Sequence, residues 1–368
     1  MVQMRVPFND IRAGYAELRN EIDRAIDEVI DRGDFINGEA VANFESAFAE
    51  FTGAKYCVAC SSGTTALHLL MSAAGIGSGD EVITSPSTFA ATAEAILHAG
   101  ATPVFADIDP TSSNLCVESV SKMMSKKTRA VLFVHLHGNP AHAKAISQFC
   151  NANNLLFMED CAQAHGTRMG ENHAGLLGIG GTFSFFPAKN LGAFGDAGCL
   201  ITDSEDLATR AAKLANHGRS DKYRHDLVGY NYRMDTLQAA ILRVRLSQLF
   251  DDVAARRQIA TQYREGLAGL PVAVPSDPPE GKHSYHLFAI HIDQRDQLQT
   301  FLEERGVQTG IHYPIPLHRQ VAFEPWLREG LPSAERESET TLSLPMFPTL
   351  STEQVQYVTE TIHSFYQR

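Results

Sequence analysis

Arg129-Ala130-Val131-Leu132-Phe133-Val134 is a near-continuous apolar run near the middle of the chain. A strand with one wet face alternates apolar and polar side chains, whereas a strand covered on both faces does not. This run therefore reads as a strand buried on both sides. The same pattern repeats outward from it. Residues 141–151 read as a helix, and Leu155-Leu156-Phe157-Met158-Glu159-Asp160 as a strand ending in two carboxylates. Upstream, Asp80 to Thr84 and Thr102 to Asp107 read as strands, with a helix from Ala90 to Ala99 between them. Lys55 to Ala59 is a short strand, and Ser61-Ser62-Gly63-Thr64 opens a helix with hydroxyl residues suited to capping. This alternation predicts an α/β fold with a mixed, mostly parallel sheet flanked by helices.

The ends of the chain read differently. Tyr15 to Ile26 and Glu39 to Thr52 carry helical apolar spacing. Thr236 to about Leu267 reads as one long helix or two joined, and the Pro-rich stretch 271–279 as a boundary loop. Beyond it, Tyr285 to His291 is an expected strand, Arg295 to Arg305 a helix and Ser351 to Tyr366 a terminal helix. The expected division is 1–245, an N-terminal arm and large domain, and 246–368, a smaller C-terminal α+β domain.

Composition narrows the function. The 368 residues carry a net charge of -12, and no basic run is longer than Lys126-Lys127. Phosphate backbones need clustered Lys and Arg, so a nucleic-acid partner is not expected. No segment reaches the roughly eighteen consecutive apolar residues of a membrane span. The stretch Met1 to Pro7 lacks the apolar region of a secretion signal. Cys57-Val58-Ala59-Cys60 has metal-ligand spacing, but no second pair accompanies it and it lies in an apolar strand, so it reads as core thiols with no metal. A cytoplasmic protein is expected.

Three pieces carry chemistry. Ser61-Ser62-Gly63-Thr64-Thr65 opens a helix after a strand, where free N–H groups suit a phosphate. Asp160 ends a strand, where ligands of open α/β sheets lie. Lys189 follows an aromatic strand in Phe183-Ser184-Phe185-Phe186-Pro187-Ala188-Lys189-Asn190-Leu191-Gly192, where desolvation favours a neutral, nucleophilic amine. Singly these are a capped helix, a solvated strand end and a surface lysine. In this order they match a phosphate cradle, an acid for a pyridine nitrogen and a Schiff-base lysine. A nicotinamide enzyme needs GxGxxG after the first strand. The nearest stretch, Gly175-Leu176-Leu177-Gly178-Ile179-Gly180-Gly181, has the wrong spacing.

From about Phe8 to its end the chain resembles the DegT/DnrJ/EryC1/StrS sugar aminotransferases, a branch of the fold-type-I pyridoxal phosphate (PLP) enzymes. The resemblance rests on Glu159-Asp160-Cys161-Ala162-Gln163-Ala164-His165-Gly166, Phe183 to Gly192, Gly229-Tyr230-Asn231-Tyr232-Arg233-Met234-Asp235 and Leu342-Ser343-Leu344-Pro345. It implies that Lys189 holds the cofactor's aldehyde and is catalytic. Asp160 would meet the pyridine nitrogen, and Gln163 the phenolic oxygen. Thr64, Ser184 and the Gly63 backbone would hold the phosphate. Phe89 would stack on the ring, though an ordinary core Phe fits the same pattern. Asn231 would reach the cofactor of a neighbouring subunit, which implies a homodimer with shared active sites.

Arg233, His312 and Tyr313 are the expected substrate contacts. The family's amino donor is L-glutamate and its acceptor a nucleotide-linked keto sugar. Gly310-Ile311-His312-Tyr313-Pro314-Ile315-Pro316-Leu317-His318 resembles the branch acting on 3-keto sugars, with 4-keto sugars or aminocyclitols as the alternative. Family members that act as dehydratases have lost the lysine, which Lys189 argues against. His137, where the family often has Tyr, and Ala197, where it often has Gly, depart from the pattern and are expected to alter the pocket wall.

Overall fold

The computed structural model describes residues 4–367. Met1 to Gln3, part of the stretch read as lacking a secretion signal, and Arg368 lie outside the described residues. Seven strands form the central sheet: β1 Tyr56–Cys60, β2 Glu81–Thr84, β3 Thr102–Phe105, β4 Thr128–Val134, β5 Leu156–Asp160, β6 Gly180–Ser184 and β7 Gly198–Thr202. Their order is β1-β7-β6-β5-β4-β2-β3. Neighbours are parallel from β6 through to β3. Only β7 runs against both of its neighbours, which makes the sheet mixed but mostly parallel.

The opening stretch behaves as its composition dictates. Successive side chains of a strand point to opposite faces. Ala130 and Leu132 pack with Leu67, Leu70 and Ile96. Val131 and Phe133 pack with Val104, Ile146 and Phe157 on the other side. All four are fully buried, so Ala130 to Phe133 are apolar because each has a helix-covered face to meet, while Arg129 near the start of β4 is exposed. At the β6–β7 side, helices Glu39–Thr52 and Thr236–Leu246 pack Phe44, Phe48 and Leu242 against Phe183, Phe185 and Ile201.

A separate core gathers Tyr263, Phe288, Leu298, Phe301, Leu342, Leu344 and Val358. The long segment read as one helix or two is two: Thr236–Leu246 and Leu249–Gly266. The second bridges both cores, since Leu249 and Val253 join the first while Ile259, Ala260 and Tyr263 join the other. Val6 crosses in the opposite direction. It lies in the C-terminal core and bridges to Val307. The strand expected from Tyr285 starts only at Phe288 and pairs with Thr341–Leu344. The residues before it are held elsewhere: Ser284 N–H donates to the Gly138 carbonyl and His286 N–H to that of His137. Tyr285 itself takes φ 46°.

Candidate active site

The carboxyl ends of β1, β2, β5 and β6 open into one cavity of about 530 Å³. The chain after β1 turns through Ser62 into helix Gly63–Ala73. A reciprocal cap holds the turn: Ser62 Oγ accepts from Thr65 N–H at 3.1 Å, and Ser62 N–H donates to Thr65 Oγ1 at 3.0 Å. This leaves the N–H groups of Gly63 and Thr64 without carbonyls four residues back, at the positive end of the helix. Close approach requires glycine here. A Cβ on Gly63 would stand 2.7 Å from the Ser184 Cβ, and one on Gly198 would stand 2.3 Å from the Ser62 carbonyl. Ser184 at the end of β6 thus faces the helix start, and both line the cavity. Two free N–H groups and the hydroxyls of Thr64 and Ser184, brought together on the cavity wall by the close approach at Gly63, fit a phosphate.

Glu159 and Asp160 are adjacent carboxylates with opposite fates, because β5 alternates its faces. Glu159 is fully buried away from the cavity. It accepts from the N–H groups of Gly175, Leu177 and Gly178 and from His135 Nε2, at 2.8, 2.8, 3.1 and 2.9 Å. A carboxylate has about four lone-pair sites, and these four donors use them. His135, Glu159 and Cys161 do lie within ligand distance of one another, but Glu159 is already fully engaged as a structural tie. Asp160 instead lines the cavity. Its Oδ1 accepts from Ala162 N–H at 3.1 Å and its Oδ2 from Thr92 Oγ1 at 2.8 Å. Burial raises its pKa above the usual carboxylate range, while those two donors, Lys189 and His135 pull it back down.

Lys189 lines the same cavity in the turn after β6. Desolvation lowers its amine to about 8, with Asp160 opposing. Gln163 is oriented by its neighbours. Its Oε1 accepts from His137 N–H at 2.6 Å, and its Nε2 donates to Tyr313 Oη at 3.2 Å. The amide therefore turns its donor toward the cavity. Phe89 is 62% exposed, so the core reading of this ring does not hold. It stands at the cavity wall with its centroid 6.3 Å from that of Tyr313. His312 stacks on Phe8 and shares a 3.0 Å hydrogen bond between Nδ1 and Ser343 Oγ. Burial, then the charge of Lys189, lowers it to about 4, so its imidazole is neutral at neutral pH.

The fold thus brings Gly63, Thr64, Phe89, Asp160, Gln163, Ser184, Lys189, His312 and Tyr313 to one cavity. It does not bring Asn231 or Arg233 there. Asn231 is exposed and bridges Asn216, and Arg233 lines a different cleft and donates to Asn216 Oδ1 at 3.3 Å. The two departures also differ from expectation. His137 and Ala197 are buried outside the cavity wall. His137 acts on the site through its backbone N–H, presented to Gln163 by a φ of 60°. Sequence reasoning missed Thr88, Thr92 and His286 on the wall. Two Thr residues four apart at a helix start were a signal for the first two. His286, from the C-terminal part of the chain, shares a 3.1 Å hydrogen bond between Nδ1 and Asn190 Oδ1.

A desolvated amine, a buried carboxylate on the same wall, and free N–H and hydroxyl groups at a helix start fit PLP at its three anchor points. With the sheet order, they define the class as a fold-type-I PLP-dependent aminotransferase. Within it, this chain belongs to the DegT/DnrJ/EryC1/StrS aminotransferase family, whose model matches residues 16–363. It is 42% identical to a pleiotropic regulatory protein of Geobacillus stearothermophilus, over 99% of both chains. It is 40% identical to the UDP-N-acetyl-3-dehydro-alpha-D-glucosamine 3-aminotransferase of Acidithiobacillus ferrooxidans, over 97% of each. The crystal structure of DesV from S. venezuelae, in complex with a ketimine intermediate, superposes with a TM-score of 0.97 at 39% identity over 99% of both chains. Among the described residues no helix is long and apolar enough to cross a membrane.

Proposed function

We propose that this chain transfers the amino group of L-glutamate to a nucleotide-linked 3-keto sugar, giving a 3-amino sugar, in the cytoplasm. The observation that carries the reading is the single cavity in which the Lys189 amine, the Asp160 carboxylate and the Gly63–Thr64 helix start converge. When bound, PLP supplies an aldehyde that bonds amines and a ring that takes up electrons. Thr64, Ser184 and the Gly63 backbone hold its phosphate. Phe89 covers one ring face, and the Gln163 amide donates to the phenolic oxygen. Asp160 holds a proton on the ring nitrogen, keeping positive charge where electrons collect. Lys189 would hold the aldehyde carbon, where its desolvated amine is the nucleophile on the cavity wall. The same amine, when free, would move the proton of the donor's α-carbon. Neutral His312 and the Tyr313 hydroxyl meet the sugar.

Asn231 and Arg233 lie outside the cavity of their own chain, which agrees with their serving the site of a second copy in a homodimer. The division at 245/246 belongs to the same proposal. What supports a division in this region is helix Leu249–Gly266, whose first turns pack in the large-domain core and whose later residues turn to the C-terminal core. The 3-keto assignment is supported by the Gly310 to His318 segment and by the name of the Acidithiobacillus relative.

The test is a product assay. Matched 3-keto and 4-keto nucleotide sugars are incubated with L-glutamate, and NMR locates the new amine. Amine at C3 is expected, and amine at C4 alone rejects the assignment. A pH dependence follows from the Lys189 amine near 8. Only the neutral amine attacks an aldehyde. The rate at which apoprotein takes up PLP should therefore rise through about pH 8 and level off above it. A rate that is flat across that range contradicts the role given to this lysine.

A further inference from the structure

Asp160 reaches the cavity with one oxygen already committed to a side chain, and that side chain has a partner of its own. Thr92 Oγ1 lies 2.8 Å from Asp160 Oδ2, and Thr88 Oγ1 lies 2.9 Å from Thr92 Oγ1. Both hydroxyl residues are buried, Thr92 to within 1%. A hydroxyl carries one proton, and an ionised carboxylate can only accept. With Asp160 ionised, Thr92 spends its proton on the carboxylate, and Thr88 is then the donor to Thr92. The chain runs one way, Thr88 to Thr92 to Asp160, and each bond polarises the next toward the carboxylate. Thr92 stands in the first turn of helix Ala91–His98, whose N-terminal end carries partial positive charge. Its N–H donates to the Phe89 carbonyl at 3.2 Å, so the residue that grips Asp160 also fixes the turn bearing the proposed stacking ring.

We infer that Thr92, backed by Thr88, is a positioning residue that keeps Asp160 ionised and aimed, and thereby sets how tightly the ring nitrogen of bound PLP holds its proton. This inference rests on the PLP reading of the site. The carboxylate needs such help because burial works against its charge, and Thr92 adds to the opposing pull of Ala162 N–H, Lys189 and His135. Burial opposes its charge, while the titratable groups around it, Lys189, His135, Tyr313 and Cys161, are themselves buried or partly buried. Among side chains, Thr92 is the hydrogen-bond donor that touches a carboxylate oxygen of Asp160.

The experiment loads wild type, Thr92→Val, Thr92→Ser and Thr88→Val with PLP labelled with 15N in the ring, and follows the nitrogen by NMR across pH. Valine keeps the shape of threonine and removes the donor. A hydrogen bond to a charged group is worth enough to shift a protonation equilibrium about tenfold. The ring nitrogen of Thr92→Val should lose its proton about one pH unit lower than in wild type. Its kcat should fall about tenfold, with KM for the amino donor changed less than about threefold. Thr92→Ser should restore the wild-type titration, and Thr88→Val should shift it the same way by less. A Thr92→Val nitrogen that titrates as wild type overturns the inference, as does a Thr92→Ser protein displaced as far as Thr92→Val. Failure of the wild-type protein to bind PLP at all overturns the functional reading and this inference with it. Misfolding of Thr92→Val would show as lost PLP binding, and Thr88→Val and Thr92→Ser then decide the matter alone.

Discussion

Lys189→Ala should lower turnover by roughly ten-thousand-fold or more, the scale of a lost proton carrier with the amine-holding step removed as well. Three features of the chain set this expectation. Lys189 is the lysine on the cavity wall, its amine is desolvated to about 8, and Asp160 faces the same space. Cofactor binding should survive, since the helix start at Gly63 and the amide of Gln163 are untouched. Stability should survive too. Burying an amine costs free energy, so its removal relieves the fold rather than weakening it. Lys189→Arg should be as inactive as the alanine variant, because a guanidinium stays charged and cannot act as a neutral nucleophile. Steady-state turnover with L-glutamate, beside thermal melts of the apoproteins, checks all of this. A Lys189→Ala protein with more than a few per cent of wild-type activity contradicts the assignment.

Asp160→Asn should cost on the order of a hundred- to a thousand-fold in kcat, the usual effect of removing one preorganised electrostatic partner. An amide cannot hold a proton on the ring nitrogen by opposite charge. The effect on the apoprotein runs the other way. Burial raises the pKa of Asp160, so its folded-state value exceeds its unfolded one before partners are counted. For a carboxylate shifted upward, ionisation at neutral pH costs stability, and that cost shrinks as pH falls below the folded pKa and is gone below the unfolded one. The neutral amide avoids the cost altogether. The Asp160→Asn apoprotein should therefore melt at the same temperature as wild type or higher, at neutral pH, while being nearly inactive. Loss of both activity and several degrees of melting temperature would make Asp160 a structural residue, as Glu159 is.

That pair shows what a sequence can and cannot disclose. Glu159 and Asp160 are chemically alike and adjacent, and the strand's alternation sends one into the turn at Gly175–Gly178 and the other into the cavity. The sequence pointed to Asp160 through its strand end and its motif, but the four donors that saturate Glu159 come from a turn that no local pattern marks as its partner. Helix Glu39–Thr52 was readable from its apolar spacing, and the structure bounds it with Gly38 and Gly53, the latter at φ 82°. Strand β7 was not readable, because Gly198-Cys199-Leu200-Ile201-Thr202 is as apolar as the parallel strands and pairing direction leaves no local trace. The break between Leu246 and Leu249 carries no Gly or Pro, so periodicity ran through it. Phe89 read as a cavity ring with an ordinary core ring as the alternative, and the fold, by leaving it exposed, rules the alternative out. Asn231 and Arg233 lie outside the cavity of their own chain, so the roles proposed for them call on a second copy.

The central claim is that one lysine carries the cofactor. The most direct measurement is to reconstitute the protein with PLP, reduce it with borohydride to fix the cofactor to its lysine, digest it and locate the added mass by tandem mass spectrometry. The account predicts the added mass on Lys189 alone, with a signal that disappears when L-glutamate is added before reduction. Added mass on another lysine, or none on Lys189, contradicts it.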